Sequence, residues 1–163
     1  MAIPLRPLIL GALILGFSAL VLTRAQAGGD HFFPPVANAV VKEECGSCHM
    51  AFAPSMLPAS SWQQMMGNLK NHFGDDASVN AKAAAEITAY LVAHAGDQGG
   101  QRFGAKLLRG VPAGSAPQRI TELPKWVREH RKISAQEWAS KAVRTKANCT
   151  ACHDQAERGF YED

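Results

Sequence analysis

All of the cysteines in this chain belong to two copies of one short motif. The copies are Cys45, Cys48 and His49, then Cys149, Cys152 and His153. Two thiols separated by two residues can reach the two vinyl groups of one haem, and the imidazole that follows can then bind the iron as its proximal axial ligand. The spacing therefore predicts covalent attachment of two c-type haems.

Other chemistries of paired cysteines fit this arrangement poorly. A zinc site of two CxxC pairs separates them by about 15–20 residues, whereas these motifs begin at positions 45 and 149. A thioredoxin-like dithiol needs one CxxC motif and no histidine after it. Because both pairs are followed by histidine and no cysteine is left over, haem attachment is the preferred interpretation.

The first residues of the chain indicate export. A basic residue and an apolar run precede a small-residue cleavage pattern: Arg6, residues 8–22, and Ala25-Gln26-Ala27. We predict a signal peptide over residues 1–27, cleaved near Ala27, and a periplasmic protein, since c-type haem is attached after translocation. An uncleaved anchor is the alternative, although the apolar run is shorter than the roughly 17–25 residues of a membrane-spanning helix.

Charge is divided unevenly along the predicted mature chain. Residues 28–98 contain three lysines and seven acidic residues, whereas residues 99–163 contain twelve basic and seven acidic residues. Opposite charge on two halves can orient a redox partner during encounter, although two ordinary solvated surfaces would give the same count. Export and the lack of a recognisable binding module disfavour nucleic acid as a partner.

The spacing of apolar residues predicts helices throughout the chain. We expect them over about 36–49, 61–73, 80–95 and 102–108, with two more after Pro124 and Ser134, the latter leading to the second motif. Glycine and proline are frequent over 99–118, which predicts a linker between a haem domain at 28–98 and another at 119–163. Units of this size have marginal side-chain cores, so we expect each haem to act as a staple and the apoprotein to be poorly folded.

Two histidines outside the motifs are candidates for the second axial position on each iron. His72 shares helical spacing with Met65 and Leu69, which places its imidazole on an apolar face. His130 shares a face with Trp126 in the same way. We expect His72 and His130 to be the distal ligands of the first and second haem.

Several alternatives to these two ligands stay open. A hydrogen-bonded core histidine would explain either position without ligation. Met56, Met65 or Met66 would give a His/Met pair, although the last two are more simply read as core filler. His94 lies on an apolar face in the last turn of its helix, where a histidine can cap carbonyls. His31 lies near the predicted mature N-terminus, where ligation would tie the chain down.

Longer stretches of the sequence resemble the soluble dihaem cytochrome c family, often called DHC. They are residues 44–49, 57–58, 61–62, 72–74, 119–121, 126–133 and 149–153. The resemblance implies an all-α protein with an N-terminal domain similar to class I cytochrome c, a distinct C-terminal haem domain and a linker. It also implies bis-histidine ligation. His72 and His130 lie in matched segments, but which of them serves which haem stays open.

The family resemblance also implies a periplasmic electron-transfer role and a set of partners. Those partners are a small oxygen-binding monohaem cytochrome, which receives the electrons, and membrane cytochromes upstream. Two imidazoles on each iron would leave no position for substrate and would lack the methionine that raises haem potential, so we expect a low-potential relay and no enzyme. A small dihaem reductase or peroxidase, or a gas sensor, would instead need an accessible iron.

Overall fold

The computed structural model describes residues 32–162, and this part of the chain is helical. Its α-helices are α1 (Ala39–Gly46), α2 (Ala59–Met66), α3 (Ala81–Ala93), α4 (Arg102–Leu107), α5 (Pro124–Glu129) and α6 (Ala135–Trp138). Between them lie 3-10 turns at Pro54–Met56, Leu69–Asn71, Ile120–Glu122, Cys149–Ala151 and Ala156–Arg158. The all-α expectation is confirmed, whereas the predicted signal peptide and His31 lie outside the described residues. Within 32–162, no helix has the length and apolar character needed to cross a bilayer.

Side-chain caps set where three of the helices begin. The backbone amide of Val41 donates to Asn38 Oδ1 at 2.9 Å, and that of Ala83 donates to Asn80 Oδ1 at 3.0 Å. Ser134 accepts from the amide of Glu137 at 3.1 Å at the start of α6. Capping by Asn38 starts α1 three residues later than the sequence pattern predicts, because a cap residue must be extended rather than helical.

The second helix is shorter than predicted, and this changes the setting of His72. Helix α2 ends before Gly67, whose amide donates to the carbonyl of Gln63 at 3.0 Å. Glycine and asparagine at 67 and 68 are poor helix formers, and a 3-10 turn over Leu69–Asn71 follows. The expectation that His72 lies on a helical face with Met65 and Leu69 is therefore wrong.

The hydrophobic core lies mainly among α1, α2, α3 and the segment that joins α1 to α2. Its buried members are Phe33, Val36, Val41, Ala53, Met56, Leu57, Trp62, Ala83, Ile87, Leu91, Ala95, Leu107 and Leu123. Trp62 also donates from its indole Nε1 to the carbonyl of Pro54 at 2.8 Å. This bond ties α2 to the segment that follows the first motif.

Helix α4, within the predicted linker, packs closely against the earlier part of the chain. A Cβ atom on Gly104 would lie 2.5 Å from the carbonyl oxygen of Ser55, and one on Gly96 would lie 2.2 Å from the same atom. Glycine is needed at both positions because the backbones themselves are in contact. Leu107 then enters the core from α4.

The last part of the chain has little core of its own and is joined to the first described residues. Among residues 119–162, the buried apolar side chains are Leu123, Val143 and Ala156. The amide of Phe33 donates to the carbonyl of Gly159 at 2.8 Å, and the rings of Phe32 and Phe160 lie 4.8 Å apart. This pairing brings the two ends of the described chain together.

Candidate functional site

The first motif begins in the last turn of α1 and continues beyond the end of that helix. Cys45 is half-buried at the end of the helix, and Cys48 is exposed in the turn beyond. Burial, and then the charge of Glu44, raise the pKa of the Cys45 thiol. His49 has its Nδ1 2.8 Å from the carbonyl oxygen of Met50. A carbonyl can only accept, so Nδ1 carries the hydrogen and Nε2 keeps the lone pair that a metal binds.

The second motif has the same pattern of exposure on a different local structure. It lies on the 3-10 turn Cys149–Ala151, and the amide of His153 donates to the carbonyl of Cys149 at 2.9 Å. Cys149 is half-buried and Cys152 is exposed, as in the first motif. Burial raises the pKa of the Cys149 thiol to about 11.

His72 is held by the loop that follows the turn Leu69–Asn71. Its amide donates to the carbonyl of Asp75 at 2.8 Å, and the amide of Asp75 donates to the carbonyl of His72 at 3.2 Å. Partial burial, and then the neighbouring His49, lower the pKa of the His72 imidazole. The neutral form, which is the one that binds metals, is therefore favoured.

The imidazoles of His49 and His72 lie close together, with their ring planes nearly parallel. Their ring centroids lie 6.1 Å apart, with 21° between the ring planes. The stretch between the two residues includes all of α2, so the fold brings together two histidines that are far apart in sequence.

A second histidine pair repeats this separation in the last part of the chain. The ring centroids of His130 and His153 lie 6.1 Å apart, with 77° between the planes. His130 ends α5, where its Nδ1 lies 2.9 Å from the carbonyl oxygen of Trp126. As for His49, that contact leaves Nε2 with the free lone pair.

Both pairs lie at a separation that would suit two imidazoles held on one iron. A ring nitrogen binds a transition metal at about 2 Å, so imidazoles on opposite sides of one metal hold their centroids about 6 Å apart. The donor atoms are also of a type that haem iron accepts. The residues present therefore fit one haem between His49 and His72 and another between His130 and His153.

The other candidate ligands occupy different settings. Met56 is buried in the core, and Met65 and Met66 pack against it. His94 is exposed at the end of α3, where its Nδ1 lies 2.8 Å from the carbonyl oxygen of Tyr90. His94 therefore caps a backbone carbonyl, which is the alternative role that its position in the sequence allows.

Two residues beside the histidine pairs have no signal in the sequence pattern. The ring of Tyr161 lies 5.4 Å from that of His153, and burial raises the pKa of its phenol. The guanidinium of Arg119 lies 4.0 Å from the ring centroid of Phe73, which is next to His72. Both contacts depend on long-range folding, so spacing within one segment could not predict them.

Comparisons with known proteins identify the family of the chain. The chain matches the family described as dihaem cytochrome c over residues 41–161. A diheme cytochrome c from Rhodobacter sphaeroides is similar at 41% identity and a TM-score of 0.70, over 78% of this chain and 98% of that chain. A comparison with curated proteins found no match.

Two further solved structures are similar over nearly the same share of the chain. A structure of DHC purified from Rhodobacter sphaeroides has 38% identity and a TM-score of 0.64, covering 77% of this chain and 98% of that one. A diheme cytochrome type c from Shewanella baltica OS155 has 36% identity and a TM-score of 0.62, covering 77% and 87%. The chain therefore belongs to the dihaem cytochrome c family and is an electron-transfer haem protein with two covalently attached haem c groups.

Proposed function

We propose that the protein is a periplasmic electron relay in which each haem iron is held by two histidines. His49 and His72 would bind the first iron, and His153 and His130 the second. The observation that carries the proposal is the equal separation of the two pairs, 6.1 Å between ring centroids in each. Export rests on the predicted signal peptide over residues 1–27.

The chain contributes ligand orientation and closure of the site. Bound haem supplies reversible one-electron chemistry. Hydrogen bonds from Nδ1 to the carbonyls of Met50 and Trp126 orient the rings of His49 and His130. With both axial positions filled by imidazole, neither iron would bind a substrate, and the absence of a methionine ligand favours a low potential.

The surroundings of the two histidine pairs differ in charge. Exposed acidic residues adjoin the first pair: Glu43, Glu44, Asp75 and Asp76. In the segments around the second pair, exposed basic residues outnumber exposed acidic ones: Arg128, Arg131, Lys132, Lys141, Arg144 and Lys146 against Glu129, Glu137, Asp154 and Glu157. Such asymmetry supports steering of a charged partner to one end of the molecule.

The partners fit this relay role. We expect a membrane cytochrome to supply the electrons and a small oxygen-binding monohaem cytochrome to receive them. Contacts between such partners are small and transient, so charged residues around each site would affect mainly the association rate.

Addition of carbon monoxide to the reduced protein tests the proposal. The holoprotein should keep an unchanged low-spin visible spectrum, because both irons are closed. His72→Ala and His130→Ala should each create one CO-binding haem per molecule, and the double variant should create two. His94→Ala is the matched control and should create none.

The opposite outcomes point to a different class of protein. Rapid CO binding by the unaltered protein would reject two closed sites and favour a small reductase or peroxidase with one accessible haem. If His94→Ala opened a haem and His130→Ala did not, the ligand assignment for the second iron would be wrong.

A further inference from the structure

We propose that Arg119 is a positioning residue that keeps His72 in place on the first haem. This inference rests on the ligand role proposed for His72. Arg119 would thus help to hold a ligand of the first haem although it lies in the segment predicted to form the C-terminal haem domain.

A chain of ring contacts links the two residues. The guanidinium carbon of Arg119 lies 4.0 Å from the ring centroid of Phe73, which is within the range of a cation–π contact. The Phe73 ring in turn lies 4.7 Å from the ring of His72. Arg119 therefore covers the aromatic side chain that packs against the proposed ligand.

Phe73 needs such support because its backbone is strained. Its φ angle is 57°, in the left-handed region that side chains with a Cβ atom avoid. The residue is also 47% exposed, so burial holds it only in part. Strained residues persist where neighbouring contacts hold them, and Arg119 supplies one such contact over the Phe73 ring.

Arg119 is itself attached to a well-anchored part of the fold. It precedes the turn Ile120–Glu122, and the next residue, Leu123, is only 1% exposed within the core. Its Nε also lies 3.7 Å from the carboxylate of Glu122, but both side chains are exposed and such a surface pair contributes little to the position of the guanidinium. The Arg119 guanidinium thus extends from a buried part of the fold toward the loop around Phe73, whose side chains are less buried.

His72, Phe73 and Arg119 also line one cavity at the surface. This cavity of about 390 Å³ adjoins the loop, and its lining also includes Met65 and Asn68. Removal of the guanidinium would enlarge that space on one side. We expect the His72 side chain then to leave its ligating position more often.

The rate of CO binding to the reduced holoprotein measures how often His72 leaves. With Arg119→Ala, we expect binding at the first haem to become about fivefold faster, the effect of losing an exposed cation–π contact. Arg119→Lys keeps a cation and should recover part of the slow rate. Phe73→Leu should accelerate binding to a similar degree, and combining it with Arg119→Ala should add little.

Two matched controls separate this role from general effects of charge. Glu122→Ala removes the neighbouring ion pair but leaves the ring contact, and Arg128→Ala removes an exposed basic side chain from α5. Neither change should alter the rate at the first haem. Haem content and thermal unfolding of every variant would be measured alongside.

His72→Ala identifies the haem that responds. Added to His72→Ala, Arg119→Ala should create no second CO-binding haem; a second one would overturn the inference. An unchanged rate in Arg119→Ala would overturn it as well. If the first haem of the unaltered protein already binds CO rapidly, the closed-site proposal fails and the role of Arg119 fails with it, whereas slow binding that Arg119→Ala leaves unchanged overturns the role of Arg119 alone.

Discussion

The indole of Trp126 lies flat against the imidazole of His130, with 4.0 Å between the ring centroids and 12° between the planes. The carbonyl of the same tryptophan accepts the Nδ1 hydrogen of His130 at 2.9 Å. One residue thus holds the imidazole through both its side chain and its backbone. A substitution can remove the ring contact while leaving the hydrogen bond in place.

Trp126→Ala should loosen His130 without removing any proposed ligand. Stacking of aromatic rings contributes about 0.5–1.5 kcal/mol, so CO binding to the second haem should accelerate by roughly twofold to tenfold. Trp126→Phe keeps a ring and should retain most of the slow rate. Flash photolysis or rapid mixing of the reduced protein measures both variants, and equal rates in all three proteins would contradict this role.

His94→Ala should be nearly neutral. His94 and His130 have the same local contact, an Nδ1 bonded to the carbonyl four residues earlier, but within residues 32–162 only His130 of the two has a second imidazole nearby. Loss of one exposed hydrogen bond should lower the free energy of unfolding by about 0.5–1 kcal/mol. The visible spectrum and the two-haem stoichiometry should not change, and loss of a haem would give His94 an unexpected role.

Removal of the second attachment site should unfold mainly the last part of the chain. In a Cys149→Ser, Cys152→Ser variant we expect one haem and rapid hydrogen exchange over residues 119–162, because few apolar side chains there are buried. The core among α1, α2 and α3 should stay protected. Full protection of 119–162 without its haem would show that the haem is not the staple of that region.

The sequence predicts the haem motifs, the helical fold and much of α3 and α4 because each of these depends on local spacing. It does not predict the early end of α2, where Gly67 and Asn68 break a run of apolar residues that otherwise suits a longer helix. The helical face on which the sequence places His72 as a candidate ligand does not form. The fold nevertheless brings it opposite His49, through a loop whose geometry no single segment encodes.

Contacts between distant segments could not be predicted from the sequence either, because the spacing of residues within one segment does not encode them. The stacking of Arg119 on Phe73 and the bond from Phe33 to Gly159 join residues that lie far apart in the chain. Neither has a periodic signature. The start of α3, by contrast, depends on neighbouring residues: the predicted helix begins at about Asn80, and the Asn80 cap starts it at Ala81.

Electron exchange with an anionic reagent should depend on the basic residues around the second pair. Oxidation of the reduced protein by a small anionic oxidant such as hexacyanoferrate should slow as salt rises, because salt screens exposed charges. The double variant Arg131→Glu, Lys132→Glu should be oxidised about twofold to tenfold more slowly than the unaltered protein. Its oxidation rate should also depend less on salt. Lys82→Glu on α3 is the control and should have a smaller effect.

Gly159→Ala should destabilise the protein. Gly159 has a φ of +87°, and a Cβ there would lie 2.1 Å from the carbonyl oxygen of Phe33. Backbone strain and the displaced pairing together should cost at least about 2 kcal/mol, measured by denaturant unfolding of the holoprotein. Gly99→Ala is the matched control, since nothing lies within 4 Å of its Cβ position. An equal effect at both sites would contradict the importance of the pairing.

The pairing of Phe32 and Phe33 with Gly159 and Phe160 also orders the assembly of the molecule. Phe32 and Phe33 are synthesised well before Gly159 and Phe160, so the contact cannot form until the second attachment motif, which precedes Gly159, has been made. The pairing is therefore a later event in biogenesis than synthesis of both motifs. It also places residues 32 and 160 close enough that a chain permuted by joining these two positions, and newly opened in an exposed loop, should fold to the same architecture.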